Sequence, residues 1–264
     1  MPNGEGHMPN ASAAPPQRVL LIPAAGRGTR LKSRLPKPLV PVAGRAMLDW
    51  LFDLYAPWIG RFIVVVNPES REAIRAHCAA RREQVAFVVQ ERATGMLDAI
   101  LLADSVVRES EVETIWVTWA DQIAVRAETV RALAAACAEA GAAMALPVVV
   151  REHPYTLLER DAAGRIVAVR FRRENDPMPA AGESEMGLFG LSRATYLEEL
   201  PRFAEEIGAS RGTATGERNF LPFIAWLAER RRVVTFPCTE EIEAVGVNTP
   251  EELARVEEAL RARG

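Results

Sequence analysis

Cysteine is scarce in this chain: Cys78, Cys137 and Cys238 are its three examples, and they share no disulfide or metal-ligand spacing. That argues against a disulfide-framed secreted scaffold and a cysteine metal site, and makes buried or idle thiols in a reducing cytoplasmic setting the expectation. Long apolar runs are missing as well, with none approaching the ~18 residues that a membrane span requires. The N-terminus lacks a basic segment followed by an apolar one, so no secretory signal is read there. Nor is there an excess of one charge: 32 Lys and Arg stand against 35 Asp and Glu, a formal net charge of −3. Such a balance makes no case for nucleic acid or a membrane surface as partner. The arginine runs at 81–82, 172–173 and 230–232 read as solvated faces. Histidine is rare, and His77 in a helical pattern and His153 in a loop have no partner spacing suited to metal or general-base work. No internal repeat is found.

The remaining composition is that of a globular protein, with 49% hydrophobic and 25% charged residues in 264. Residues 1–17 hold little to bury and are expected to form a disordered leader, in which Gly6-His7-Met8 reads as a cloning scar or an upstream start. From Arg18 to the end, no composition break divides the chain, so 18–264 is expected to be one domain. Apolar runs at 18–22, 62–66, 85–89, 114–119 and 143–150 suit buried strands, and helical patterns near 46–56, 69–82, 95–108 and 127–140 separate them. This alternation predicts an α/β fold, a Rossmann-like mostly parallel sheet with helices on both faces. Asn67-Pro68 marks a helix start. Between 155 and 171, two strand-like runs flank Asp161-Ala-Ala-Gly164, which predicts a small antiparallel β insert lying over the strand ends. Helices are expected near 193–206 and 217–230, and strands near 232–237 and 243–247. Thr249-Pro250-Glu251-Glu252 is a capping box that starts a last helix, with Leu253, Val256 and Leu260 on one face. Trp50, Trp58 and Trp226 are assigned to the core or an interface.

The most informative stretch is 20–44. An apolar strand runs into Ala24-Ala25-Gly26-Arg27-Gly28-Thr29, followed by the cations Arg30 and Lys37. Small residues let a ligand approach backbone N–H groups, and nearby cations suit phosphate. No P-loop string occurs, and Gly26-x-Gly28 lacks the third glycine of the dinucleotide fingerprint. The segment resembles the first loop of the sugar-phosphate nucleotidyltransferases, roughly Leu-Ala-Ala-Gly-x-Gly-Thr-Arg and then Pro-Lys-x-Leu, here ending in Pro36, Lys37 and Leu39. The short Arg30-to-Lys37 step is similar to that of N-acetylglucosamine-1-phosphate uridylyltransferases, and some cytidylyltransferases share it.

The resemblance extends along the chain. Ile115-Trp-Val-Thr-Trp-Ala-Asp121 is similar to the family's strand-end Gly-Asp metal motif, with Ala120 in place of glycine, and Gly246-Val-Asn248 matches a late motif that supplies a second metal contact. Gln90-Glu-Arg-Ala-Thr-Gly95-Met96 resembles the base-reading segment, with Met96 where uridylyltransferases have threonine. An amide side chain pairs with the imide edge of a pyrimidine. The acceptor side matches least. Phe171 falls where an ungapped alignment expects a glutamate, Arg172 and Arg173 flank the family's lysine position, and Glu174 aligns only with a gap. Glu185-Met-Gly187 replaces Asn-Thr-Gly, and Glu217 is a sugar-hydroxyl candidate.

The resemblance therefore implies an enzyme of nucleotide-sugar biosynthesis that joins an NTP, UTP favoured, to a sugar 1-phosphate. It implies Mg2+ on Asp121 and Asn248, catalytic cations Arg30 and Lys37, and nucleotide contacts from Ala24, Ala25, Gly26, Gly28, Thr29, Gln90 and Gly95. Arg172, Arg173, Glu174, Glu185, Gly187 and Glu217 are the acceptor candidates. Two alternatives stay open: cytidylyl transfer to a non-sugar phosphate or phosphonate, and a catalytically silent binder of nucleotide sugars. The chain ends before any hexapeptide repeat, so no acetyl transfer is expected.

Overall fold

Val19, Leu20, Leu21 and Ile22 are fully buried on both faces, as a central strand of a parallel sheet requires. They form β1 (Arg18–Pro23) in a computed structural model that describes residues 18–26, 28–31, 33–81, 84–238 and 240–263. The leader expected at 1–17 and Arg82 of the first arginine pair lie outside the described residues. A two-stranded ribbon, β2 (Pro41–Val42) and β3 (Arg45–Ala46), leads into α1 (Met47–Tyr55), β4 (Arg61–Val66), α2 (Arg71–His77) and β5 (Val85–Val89). Next come α3 (Met96–Leu101), α4 (Asp104–Arg108), β6 (Thr114–Thr118), α5 (Ala127–Cys137) and β7 (Ala142–Glu152). A hairpin, β8 (Thr156–Arg160) and β9 (Ile166–Phe171), precedes β10 (Ala181–Glu185) and β11 (Leu188–Ser192). The chain then forms α6 (Leu200–Glu206), α7 (Pro222–Ala228), β12 (Arg232–Pro237) and α8 (Pro250–Arg263).

Among the described residues, the main sheet has eight strands in the order β10-β7-β11-β6-β1-β4-β5, with β12 also paired to β7. β6, β1, β4 and β5 run parallel, whereas β11 and β10 are reversed against their neighbours. One face of the sheet, with Leu20, Ile22 and Val64, packs on α1, α5 and α8; the other, with Leu21, Ile63 and Val65, packs on α3, α6 and α7. This is the expected mostly parallel sheet between helices, and β8 and β9 form the expected antiparallel insert.

Several boundaries differ from the sequence reading, each for a local reason. The 95–108 helix is two helices, because the carbonyl of Ile100 accepts the Tyr196 hydroxyl at 2.7 Å as the chain bends. The 193–206 helix starts as expected but carries a π turn, Thr195–Glu199, ahead of Pro201, which has no N–H for an ordinary helical bond. The helix expected from 217 starts only at Pro222, because the Arg218 backbone pairs with Thr94 and Leu97 instead. The strand expected at 243–247 is a 3₁₀ turn, Glu241–Ala244, followed by extended chain, because Glu243 turns inward to bond α5. Asn67 caps the turn before α2: its Oδ1 accepts the Ser70 N–H at 2.7 Å, and the helix begins at Arg71.

Candidate active site

Ligands of open α/β sheets bind beyond the carboxyl ends of parallel strands, and here two such ends lie side by side, those of β1 and β6. The loop after β1 is tied to β4 and its exit: the Ala24 N–H donates to Val65 O at 2.7 Å, and Asn67 Nδ2 donates to Ala25 O at 2.9 Å. Gly28 has φ +61°, and a Cβ there would stand 2.6 Å from the Lys37 Cβ. Glycine thus lets the Lys37 stem cross directly against the loop. Arg30 and Lys37 sit in short 3₁₀ turns, Thr29–Leu31 and Lys37–Leu39.

Asp121 projects past the end of β6. The Trp119 N–H bonds the Gly187 carbonyl at 3.0 Å, and Gly187, with φ +72°, leaves room for the Trp119 indole. Asn248 is held by the capping box of α8. Glu252 accepts the N–H groups of Asn248 and Thr249 at 2.8 and 2.9 Å, while Thr249 Oγ1 accepts that of Glu252 at 3.2 Å. The Val247 N–H donates to the Asp121 carbonyl at 3.1 Å, which joins the two segments directly.

These segments converge on one point. Lys37 Nζ donates both to Asp121 Oδ2 and to Asn248 Oδ1, the latter at 2.7 Å, and Arg30 donates to the same Asn248 oxygen at 2.9 Å. A carboxylate and an amide oxygen that meet one ammonium are hard donors aimed at a common cation position. That donor set fits magnesium, which takes few protein oxygens and completes its shell with water and phosphate. Among the described residues no group of three or more His, Cys, Asp or Glu could hold a metal.

The convergence opens into a cleft of ≈ 700 Å³. Ala24, Gly26, Gly28, Arg30, Lys37, Asp121 and Asn248 line it, and so do Arg173, Glu185, Gly187 and Glu217. Glu185 is buried at 8% exposure. Its oxygens accept the Gly187 N–H at 2.5 Å and the Thr156 hydroxyl at 3.0 Å, and burial nevertheless raises its carboxyl above the ordinary value. Arg173 donates to Glu217 at 3.3 Å and to Asn219, so these three side chains act as a unit.

Other sequence candidates stand behind the lining. Gln90 is buried, and its amide donates to the Gly95 carbonyl at 3.0 Å. Arg172 donates to the Pro154 carbonyl at 3.1 Å. Glu174 accepts the Ala214 N–H and the Thr215 hydroxyl at 2.8 and 2.6 Å, and so holds the loop before Glu217. Conversely, the cleft exposes residues the sequence reading passed over. Arg151, His153, Tyr155, Trp119 and Asn219 all line it. His153, whose sequence spacing offers no partner, is held at the wall by its N–H, which donates to the Ala180 carbonyl at 2.7 Å. His77 is paired with Asp49 at 3.0 Å on the surface.

Residues 20–212 match the family model described as a MobA-like NTP transferase domain. The bifunctional protein GlmU of Desulfitobacterium hafniense is 32% identical over 256 residues, covering 94% of this chain and 53% of that protein. GlmU of Thermobifida fusca is 29% identical over 259 residues, covering 96% and 52%. The chain thus spans about half the length of the curated relatives it matches. A crystal structure from Bacillus anthracis, assigned as a glucose-1-phosphate thymidylyltransferase, is similar with a TM-score of 0.70 at 15% identity, covering 92% of this chain and 95% of that one. At that identity the likeness shows a shared fold.

Proposed function

The chain belongs to the MobA-like NTP transferase domain family, and from that premise we propose that it joins an NTP to a sugar 1-phosphate, releasing pyrophosphate. A phosphate oxygen of the acceptor attacks the α-phosphorus in line, and the bond from that phosphorus to the β-phosphate bridging oxygen breaks. No protein nucleophile is needed, so the chain's task is to position two anions and stabilise charge. The small-residue loop 24–28 admits the triphosphate to backbone N–H groups. Arg30 and Lys37 offset charge on the transition state and on the departing pyrophosphate. Asp121 and Asn248 would hold Mg2+, which when bound supplies charge neutralisation at the α-phosphate. Gln90, proposed from sequence as a base reader with the Gly95 backbone, stands behind the lining and would act by fixing the Gly95 carbonyl, with a pyrimidine and UTP favoured. Arg173, Glu185, Gly187 and Glu217 face the acceptor, and Arg172 and Glu174 support that wall.

The observation that carries this reading is the meeting of Arg30, Lys37, Asp121 and Asn248 at one point, brought from separate parts of the chain. The test is a matrix of NTPs against sugar 1-phosphates, read by coupled pyrophosphate release. Turnover with UTP and a hexose or N-acetylhexosamine 1-phosphate is the expected result. Asp121→Ala should abolish that turnover while leaving the circular dichroism spectrum unchanged, and wild-type-like release by this variant would sink the metal assignment. The short Arg30-to-Lys37 step also suits one second reading, cytidylyl transfer to a non-sugar phosphate or phosphonate. Signal with CTP and such acceptors alone would select it.

A further inference from the structure

Glu243 is fully buried, yet it lies outside the cleft lining and the nucleotidyl-transfer reading gives it no role. An isolated buried carboxylate is costly, so its partners are informative. Its Oε2 accepts the Arg126 N–H at 2.9 Å and the Thr129 hydroxyl at 2.6 Å, and its Oε1 accepts Cys238 Sγ at 3.1 Å. The first two donors are the opening turn of α5, whose own N-cap residue, Arg126, provides no side-chain cap. Glu243 therefore caps that helix from a distant part of the chain.

The same residue is tied to the strand end that carries Asp121. The buried Gln122 side chain donates to the Glu243 carbonyl, and four residues on, the Val247 N–H donates to the Asp121 carbonyl. The segment 243–247 is thus fastened to 121–122 at both ends and to α5 through the carboxylate. Gly246 completes the approach: a Cβ there would stand 3.1 Å from Asp121 Oδ1.

We propose that Glu243 is a positioning residue: by capping α5 it sets the separation of Asp121 and Asn248 and so tunes the affinity of that pair for a divalent cation. This inference rests on the reading of Asp121 and Asn248 as metal ligands. Ligand oxygens must be held within about 0.5 Å of their working geometry, and a loop freed at Glu243 relaxes Asn248 while leaving the Asp121 side chain in place.

The test titrates the folded protein with Mn2+ alone and reads bound ion by electron paramagnetic resonance. Glu243→Ala should weaken Mn2+ binding about tenfold or more, the scale on which supporting groups act on metal sites. Glu243→Gln should recover most of the loss, because its amide oxygen still accepts from Arg126 or Thr129. Leu227→Ala, in the core on the opposite side of the sheet, serves as a control for general destabilisation and should leave Mn2+ affinity unchanged. In turnover, Glu243→Ala should raise the metal concentration for half-maximal rate more than it lowers the rate at saturating metal. If Glu243→Ala fails to fold, Thr129→Val, which removes one donor, should weaken binding in the same direction. Wild-type Mn2+ affinity in the Glu243 and Thr129 variants, with binding lost in Asp121→Ala, overturns the positioning role and leaves the metal reading standing. Unaltered binding in Asp121→Ala, or none in the wild type, overturns both.

Discussion

Burial holds the Glu185 carboxyl above its ordinary value, although the Gly187 N–H and Thr156 hydroxyl favour its charged form. The folded state then keeps the proton longer than the unfolded chain does. Its contribution favours folding below the unfolded-state value and is lost as pH rises through the folded one. Glu185→Gln removes that dependence. The melting temperature of the variant should therefore gain on that of the wild type as pH rises from the ordinary carboxylate range towards neutrality, and a constant difference would contradict the assignment. Lys37 offers a second residue-scale test. Removing one preorganised donor at developing charge costs about 10²–10³-fold in kcat, so Lys37→Ala should fall in that range in steady-state pyrophosphate release. Burial pushes the Cys78 and Cys137 thiols up to about 11 and Cys238 up to about 12, which favours the protonated form of all three at neutral pH. The family resemblance, and not residue type alone, pointed to Asp121 and Asn248 as candidate ligands. It could not reveal that Arg151 and His153 face the same cleft, because nothing in a sequence records which way a strand-end side chain turns.

At the scale of elements, local signals with a built-in hydrogen-bond partner were read well. The capping box at Thr249 is present with both of its reciprocal bonds, and Leu253, Val256 and Leu260 pack inward from α8. Thr249→Ala should cost about 1 kcal/mol in urea unfolding, the usual value for a lost N-cap. The turn at Gly95 makes a stronger demand. With φ +121° and the Arg218 backbone pressed against its Cα, it accepts no Cβ without displacing main chain. Gly95→Ala should therefore destabilise the protein by more than ~1 kcal/mol and raise the KM for the nucleotide, since Gln90 bonds the Gly95 carbonyl. Elements shaped by distant partners escaped the sequence reading. The break at Leu102-Ala103 depends on Tyr196, and the 3₁₀ turn at 241–244 depends on α5. β10 and β11 carry short, partly polar strands whose pairing with β7 and β6 no local pattern announces.

Across the whole molecule, Leu20 and Leu21 are adjacent in sequence yet belong to opposite core layers, both fully buried. Each truncation to Ala should cost about 2–5 kcal/mol. Both variants should unfold in one transition seen alike by tryptophan fluorescence and far-ultraviolet circular dichroism, because one sheet supports both layers. Two separated transitions would argue against 18–264 as a single cooperative domain.

The loop from Ala24 to Lys37, the strand-end aspartate and the capped asparagine were marked in sequence by their resemblance to family motifs, and each sits on a short-range feature: close backbone approach, a strand terminus, a helix start. The alternation of apolar runs likewise determined the class of sheet, since burial on both faces leaves a continuous apolar run. What tertiary structure decided is where those pieces meet. Sheet order places the ends of β1 and β6 side by side, Gly28 lets Lys37 cross the loop to reach Asp121, and Glu243 draws Asn248 to the same point. Contacts such as Lys37 with Asp121 and Arg30 with Asn248 join residues 84 and 218 positions apart, and their energies depend on packing and orientation that no local stretch of chain encodes.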